Sequence, residues 1–166
     1  DMYVLLDYGP HGGWHGHFDK LGVEVSAGES NLISDPGTVP YSLPSSRDWY
    51  RTSFAHSLPF VGYENQPEAT GCLLNHNFAN HSSFIMAQYF DENHGMQVSR
   101  LLLVITTHQY GDVLVDMSHW SGEKSQIATQ TYHFSNAPHS FVGNKSGNDS
   151  SPFNLDPHAH LDLLDD

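Results

Sequence analysis

Basic side chains are scarce in this sequence. Six Lys and Arg stand against nineteen Asp and Glu in 166 residues, a formal charge of −13. A surface that acidic repels phosphate backbones, which argues against a nucleic-acid partner. Cysteine is nearly absent as well. Cys72 stands alone, so an intrachain disulfide framework is excluded. Within Thr70-Gly71-Cys72-Leu73-Leu74 it reads as a small buried residue rather than a nucleophile. No apolar run approaches the length a bilayer span needs, and no basic amphipathic helix is present, so no membrane partner is expected. A helical period is nowhere sustained over three turns, which argues against a helical fold. The chain also lacks a leader, yet it opens at Asp1 inside a strand-like segment. That start is expected to be a cut one, so the missing leader carries no information about compartment.

What is present reads as strand. Met2–Leu6, Gly22–Ser26, Asn31–Ser34 and Phe84–Phe90 are short β-rich runs bounded by Gly, Pro, Asn and Ser. Arg100–Thr107 and Val113–Met117 form the strongest pair, joined by the glycine-containing turn His108–Asp112. Ile127–Phe134 alternates polar and apolar positions and predicts a further strand. The expected fold is all-β, an antiparallel two-sheet sandwich over residues 1–140. Residues 141–166 change character to a polar, then acidic, linker or tail. Three Asn-x-Ser sequons, at Asn80, Asn144 and Asn148, fit surface loops.

Histidine is abundant, with thirteen residues. As the commonest metal ligand and the side chain that titrates near neutrality, it points to a site. The informative stretch is Asp7-Tyr8-Gly9-Pro10-His11-Gly12-Gly13-Trp14-His15-Gly16-His17-Phe18-Asp19-Lys20-Leu21. On an extended strand His15 and His17 would face one side and could serve one site. His-x-His alone is a weak signal, and His158-x-His160 in the tail illustrates how easily it arises. Asp35 follows a strand and opens the turn Asp35-Pro36-Gly37-Thr38, which would hold its carboxylate at a sheet end. Arg47-Asp48-Trp49-Tyr50-Arg51 then leads to His56. Two histidines and a carboxylate make a sound three-ligand set for zinc, with a fourth position open to water or substrate. His11 is expected in a loop near this site, and His133 in a structural role.

Gly-Pro-His-Gly-Gly-Trp-His-Gly-His-Phe-Asp-Lys-Leu, then Asp-Pro-Gly-Thr, then Trp-Tyr-Arg-Thr-x-x-Ala-His, resembles the heparinase II/III-like sandwich domain of polysaccharide lyases. The resemblance continues to about residue 135. It implies His17, Asp35 and His56 as ligands of zinc or another divalent metal, and His15 as a catalytic histidine facing substrate. It implies a catalytic tyrosine as well, Tyr50 or Tyr41. The implied activity is β-elimination on a uronic-acid polysaccharide of alginate or heparin type, in a secreted or periplasmic bacterial enzyme. The implied partners are that acidic polysaccharide and a helical toroid on the N-terminal side of the same protein, without which the chain is expected to be inactive.

Arg47 and Arg51 could fork onto a uronate carboxylate, and Trp14 could line the substrate path. Two rivals share these residues. A cupin-like metal enzyme fits Gly9-x5-His15-x-His17, although Glu24 lies two residues too far along for the cupin glutamate. A non-catalytic carbohydrate-binding sandwich would instead use exposed Trp14, Trp49 and Trp120 to stack on sugars.

Overall fold

The computed structural model describes residues 2–135; the expected tail, with Asn144, Asn148, His158 and His160, lies outside them. The described residues form nine strands, all paired antiparallel. β1 (Met2–Leu6), β2 (Val23–Ala27) and β3 (Ser30–Ile33) make a three-stranded sheet in that order. β4 (Pro59–Val61) pairs with the distant β9 (Ala128–Gln130). β5 (Cys72–Phe78), β6 (Ser82–Asp91), β7 (Met96–Thr107) and β8 (Gly111–Gly122) form a four-stranded meander.

The side-chain period of two explains why these layers stack. Along β7, Met96, Val98, Arg100 and Leu102 are buried on one face. Opposite them Ala87 and Tyr89 of β6 turn inward and meet Leu6, Val23, Val25 and Ile33 of the first sheet. The result is the two-layer β-sandwich that the strand pattern predicts. The β2–β3 hairpin closes on Gly28-Glu29, with Gly28 at φ +58°, the sign that two-residue hairpin turns need.

The Arg100 side chain is fully buried between the layers. Arg100 donates Nε and Nη2 to Asp116 on β8 at 2.9 and 2.5 Å. Its Nη1 donates to the carbonyls of Leu21 and Ser57 at 2.6 and 2.8 Å. Asp116 also accepts from the Tyr132 hydroxyl, and burial together with that carboxylate pushes the phenol well above its ordinary value. Arg100 thus fastens the four-stranded sheet to two loops that carry histidines.

Several expectations are corrected. Cys72 is exposed, because β5 is an edge strand and most of its length faces outward. The predicted strand Ile127–Phe134 is regular only over β9, followed by an isolated bridge between Phe134 and Ile33. β4 is too short, at three residues, to leave a period in the sequence. Trp120 is not an exposed sugar platform: half-buried, it donates its indole N–H to Phe60 O at 2.9 Å. Trp49 is half-buried and meets His133 edge-on, and His133 bonds the Phe54 carbonyl at 2.7 Å.

Candidate functional site

The histidine loop leaves β1 and returns to β2 through a closed neck. Asp7 N donates to Gly22 O at 2.9 Å and Leu21 N to Asp7 O at 2.7 Å. At the neck Leu21 is fully buried with φ +63°, a conformation rare outside glycine that its burial and the Arg100 contact hold in place. Inside the loop the chain is not extended. Gly13, at φ +60°, starts a tight 3-10 turn, Gly13–His15, closed by Gly16 N donating to Gly13 O. Gly16 must be glycine: a Cβ there would lie 2.6 Å from His11 Nε2 and 2.7 Å from Gly12 N. His11 is packed beneath, stacked on Phe18 at 5.5 Å.

This turn overturns the expectation of two histidines on one strand face. His15 and His17 reach different partners. His15 is exposed, and its Nδ1 lies 2.8 Å from the Tyr41 hydroxyl. His17 is half-buried and turns to His56, with Nδ1 3.2 Å from His56 Nε2. Phe18 N donating to Arg51 O, and Ser53 Oγ to Phe18 O, tie the loop to the segment that presents His56.

His56 is 2% exposed. Its Nδ1 faces the Thr52 carbonyl at 2.8 Å, so Nδ1 carries the hydrogen and Nε2 presents a lone pair. That lone pair meets His17 Nδ1 and also Asp35 Oδ2, at 3.3 Å. Asp35 is held by the predicted turn, its Oδ1 accepting from Gly37 N at 2.7 Å. Of the three ligand candidates from the sequence, His56 therefore meets each of the other two, His17 and Asp35. A tetrahedral ion with ligands at about 2.0–2.1 Å has edges of about 3.3–3.4 Å. The two separations measured from His56, 3.2 Å to His17 and 3.3 Å to Asp35, match such edges, and imidazole and carboxylate are donor types that suit zinc.

A second carboxylate faces the same place. The ligating atoms of His17, His56 and Asp19 all lie within 4.8 Å of one another. Asp19 also pairs with buried Lys20, whose Nζ lies 2.9 Å from Asp19 Oδ1 and 2.5 Å from Asp7 Oδ2. Burial works against the Lys20 charge, but the two carboxylates outweigh it and hold the ammonium above its ordinary 10.5. Burial, and next the His56 ring, draw His17 below its ordinary 6.5, against the pull of Asp19 and Asp35. A neutral imidazole is the form that ligates.

Not every candidate joins the site. Tyr50 ends the wide turn Ser46–Tyr50, and among the described residues no hydrogen bond joins it to His15, His17 or His56. Arg47 is exposed and pairs with its neighbour Asp48 at 2.8 Å, an ordinary surface ion pair. Arg51 donates Nε to Gly16 O at 2.9 Å, so it braces the histidine loop. Trp14 is 91% exposed at the tip of that loop. Asp19 and Lys20 were not singled out from the sequence; the only signal was the His17-x-Asp19 spacing.

The model of the heparinase II/III-like C-terminal family matches residues 1–109. The chain belongs to that family. Solved structures resemble this heparinase II/III-like chain in fold. A heparan sulfate lyase mutant from Pedobacter heparinus superposes with a TM-score of 0.66 at 18% identity, covering 80% of this chain and 21% of that one. A heparinase III with methylated lysines gives 0.66 at 17% identity, over 87% and 22%. This chain spans about a fifth of the length of those proteins. No curated protein matches it.

Proposed function

We propose that this domain forms one wall of the active site of a polysaccharide lyase that cleaves a uronic-acid polymer, of alginate or heparin type, by β-elimination. The observation that carries the reading is the exposed His15–Tyr41 pair, 2.8 Å apart, with His15 on the same loop as His17 and Tyr41 on the segment that follows Asp35. Elimination needs a base for the C5 proton, an acid for the departing O4 and a group that relieves the carboxylate charge. A histidine and a phenol in hydrogen-bond contact suit the two proton transfers, and both are open to solvent, where a chain can lie. Tyr41 replaces Tyr50 as the tyrosine for this role, because it is the one within reach.

His17, Asp35 and His56 would hold a zinc ion. When bound, zinc would tie the histidine loop, the turn after β3 and the segment before β4 into one unit. The chain's own residues do the rest: the 3-10 turn aims His15 outward, and Arg51 braces Gly16 behind it. The cationic surface a polyanion requires, and the opposite wall, belong to a helical toroid in the whole protein. Secretion or a periplasmic location suits a polymer substrate.

The experiment is ultraviolet detection of the unsaturated product by the full-length protein on alginate and heparin-type polymers. His15→Ala should abolish the signal while zinc content stays near that of the parent. Retained polysaccharide binding by the parent with no elimination on any uronide would favour the carbohydrate-binding reading, for which Trp14, 91% exposed, offers a stacking ring.

A further inference from the structure

We propose that His11 and Glu68 act as a pair that positions His15: the Glu68 carboxylate accepts from His11 Nε2–H and so holds the histidine loop against the segment behind it. The inference rests on the role of His15 proposed above. The His11 side chain is 6% exposed beneath the 3-10 turn, and neither ring nitrogen has a hydrogen-bond partner among the described residues. Glu68 is the carboxylate it faces, with Oε1 3.8 Å from Nε2, about 1 Å longer than a hydrogen bond. The Glu68 side chain is 67% exposed, so a change of rotamer can close that gap. Packing alone does not explain an imidazole at this place. A phenyl ring would keep the stack on Phe18 and bury no unmet N–H, which is costly to leave without an acceptor.

The pair sits where it can steer His15. The edge of the His11 ring touches the backbone of Gly16, where a Cβ would lie 2.6 Å from Nε2 and 2.7 Å from Cε1. From elsewhere Arg51 donates to the Gly16 carbonyl, so the residue after His15 is held by two side chains. Glu68 is itself set by its neighbours. Gln66, 2% exposed, bonds both backbone groups of Lys20 at 2.8 and 2.9 Å and so grips the return arm of the loop. Gly71 packs on the outgoing arm, where a Cβ would run into the Tyr8 carbonyl. Between them Ala69 N donates to Pro67 O at 2.7 Å, a tight turn with Glu68 at its tip. Closing Glu68 onto His11 therefore joins a backbone held on both flanks to the ring that supports Gly16. A slack ring would let His15 drift from the Tyr41 hydroxyl, and a misplacement of about 1 Å can cost a hundredfold in rate.

Rates of unsaturated-product formation by the full-length protein provide the test. Glu68→Ala should lower kcat about tenfold, a partial misplacement, with KM and zinc content near those of the parent. Glu68→Gln keeps an acceptor oxygen and should restore most of that rate. His11→Phe should cost about as much as Glu68→Ala, and the double variant no more than either alone, because the two residues act through one contact. Parental kcat in Glu68→Ala would overturn the proposal, and so would losses that multiply in the double variant. The first of these arms changes only an exposed side chain, so it stands even where His11→Phe fails to fold. In histidine-labelled full-length protein the ring NMR signal of His15 should also move in Glu68→Ala, and a signal identical to the parent's would overturn the proposal. A parent that eliminates nothing on any uronide would sink the proposed function alone, since the His15 signal still decides whether Glu68 acts on that ring.

Discussion

His17 Nδ1 lies 3.2 Å from His56 Nε2, though the two residues are 39 apart in sequence. Neither ring has a reason to approach the other through hydrophobic packing alone. With His56 Nδ1 committed to the Thr52 carbonyl, a lone pair faces a second imidazole and the Asp35 carboxylate. Such an arrangement is stabilised by a cation or a shared proton, and the predictions follow from the cation.

Zinc should raise the thermal stability of the chain, since a ligand that binds only the folded form stabilises it by about 2.7 kcal/mol at a hundredfold excess over Kd. His17→Ala and His56→Ala should each remove most of that gain. Melting curves with zinc and with a chelator, for parent and variants, measure it directly. An equal zinc-induced shift in His17→Ala would exclude His17 as a ligand.

The pH dependence of the metal-free chain has a fixed sign. His17 titrates below its ordinary 6.5 in the folded state, so between 6.5 and that lower value the unfolded chain holds the extra proton. Stability therefore falls as pH drops below 6.5 and levels off beneath the folded value. Urea unfolding between pH 7.5 and 5.5 should show this slope, and His17→Gln should flatten it. A slope unchanged by the substitution would assign it to other groups.

Arg100 should be the most costly polar residue to truncate. Removing it takes the charge partner from Asp116, which keeps the Tyr132 hydroxyl, and a buried donor from the carbonyls of Leu21 and Ser57, of which Ser57 keeps the Val23 N–H. Breaking a buried ion pair on one side costs about 3–5 kcal/mol. The double change Arg100→Met with Asp116→Leu should cost less than Arg100→Met alone. Chemical denaturation of both settles the order.

The isolated chain should not eliminate. Its cations are outnumbered more than threefold by its carboxylates, and a polyanion held on one acidic wall is neither oriented nor shielded from water. Steady growth of product absorbance from this chain alone, lost in His15→Ala, would refute the division between two domains.

How much of this was readable from the sequence follows physical lines. β7 and β8 were legible over Arg100–Thr107 and Val113–Met117, apolar β-rich runs joined by a glycine-containing turn, while the ends of both strands, residues 96–99 and 118–122, are more polar and gave no such run. β4 was not, because three fully buried residues have no period. The approach of His17 and Asp35 to His56 was legible through residue types and a family pattern. The directions of His15 and His17 were not, because Gly13 and Gly16 permit a turn where alternation predicted a strand. Tyr41 could not be separated from Tyr50 without knowing which loop folds over His15. Asp19 and Lys20 did not stand out, since their burial and pairing depend on the neck that Leu21 closes.

The central claim is that His15 and Tyr41 act together on the substrate, and one comparison tests it most directly. Tyr41→Phe and Tyr50→Phe are made in the full-length protein, and initial rates of unsaturated-product absorbance are read on the best uronide substrate. The account predicts a loss of kcat of about a hundredfold or more for Tyr41→Phe, the scale of one acid–base group, with zinc content unchanged. Tyr50→Phe should stay within a few-fold of the parent. The reverse pattern, with Tyr50→Phe inactive and Tyr41→Phe near parental rates, would contradict the assignment built on the His15–Tyr41 contact.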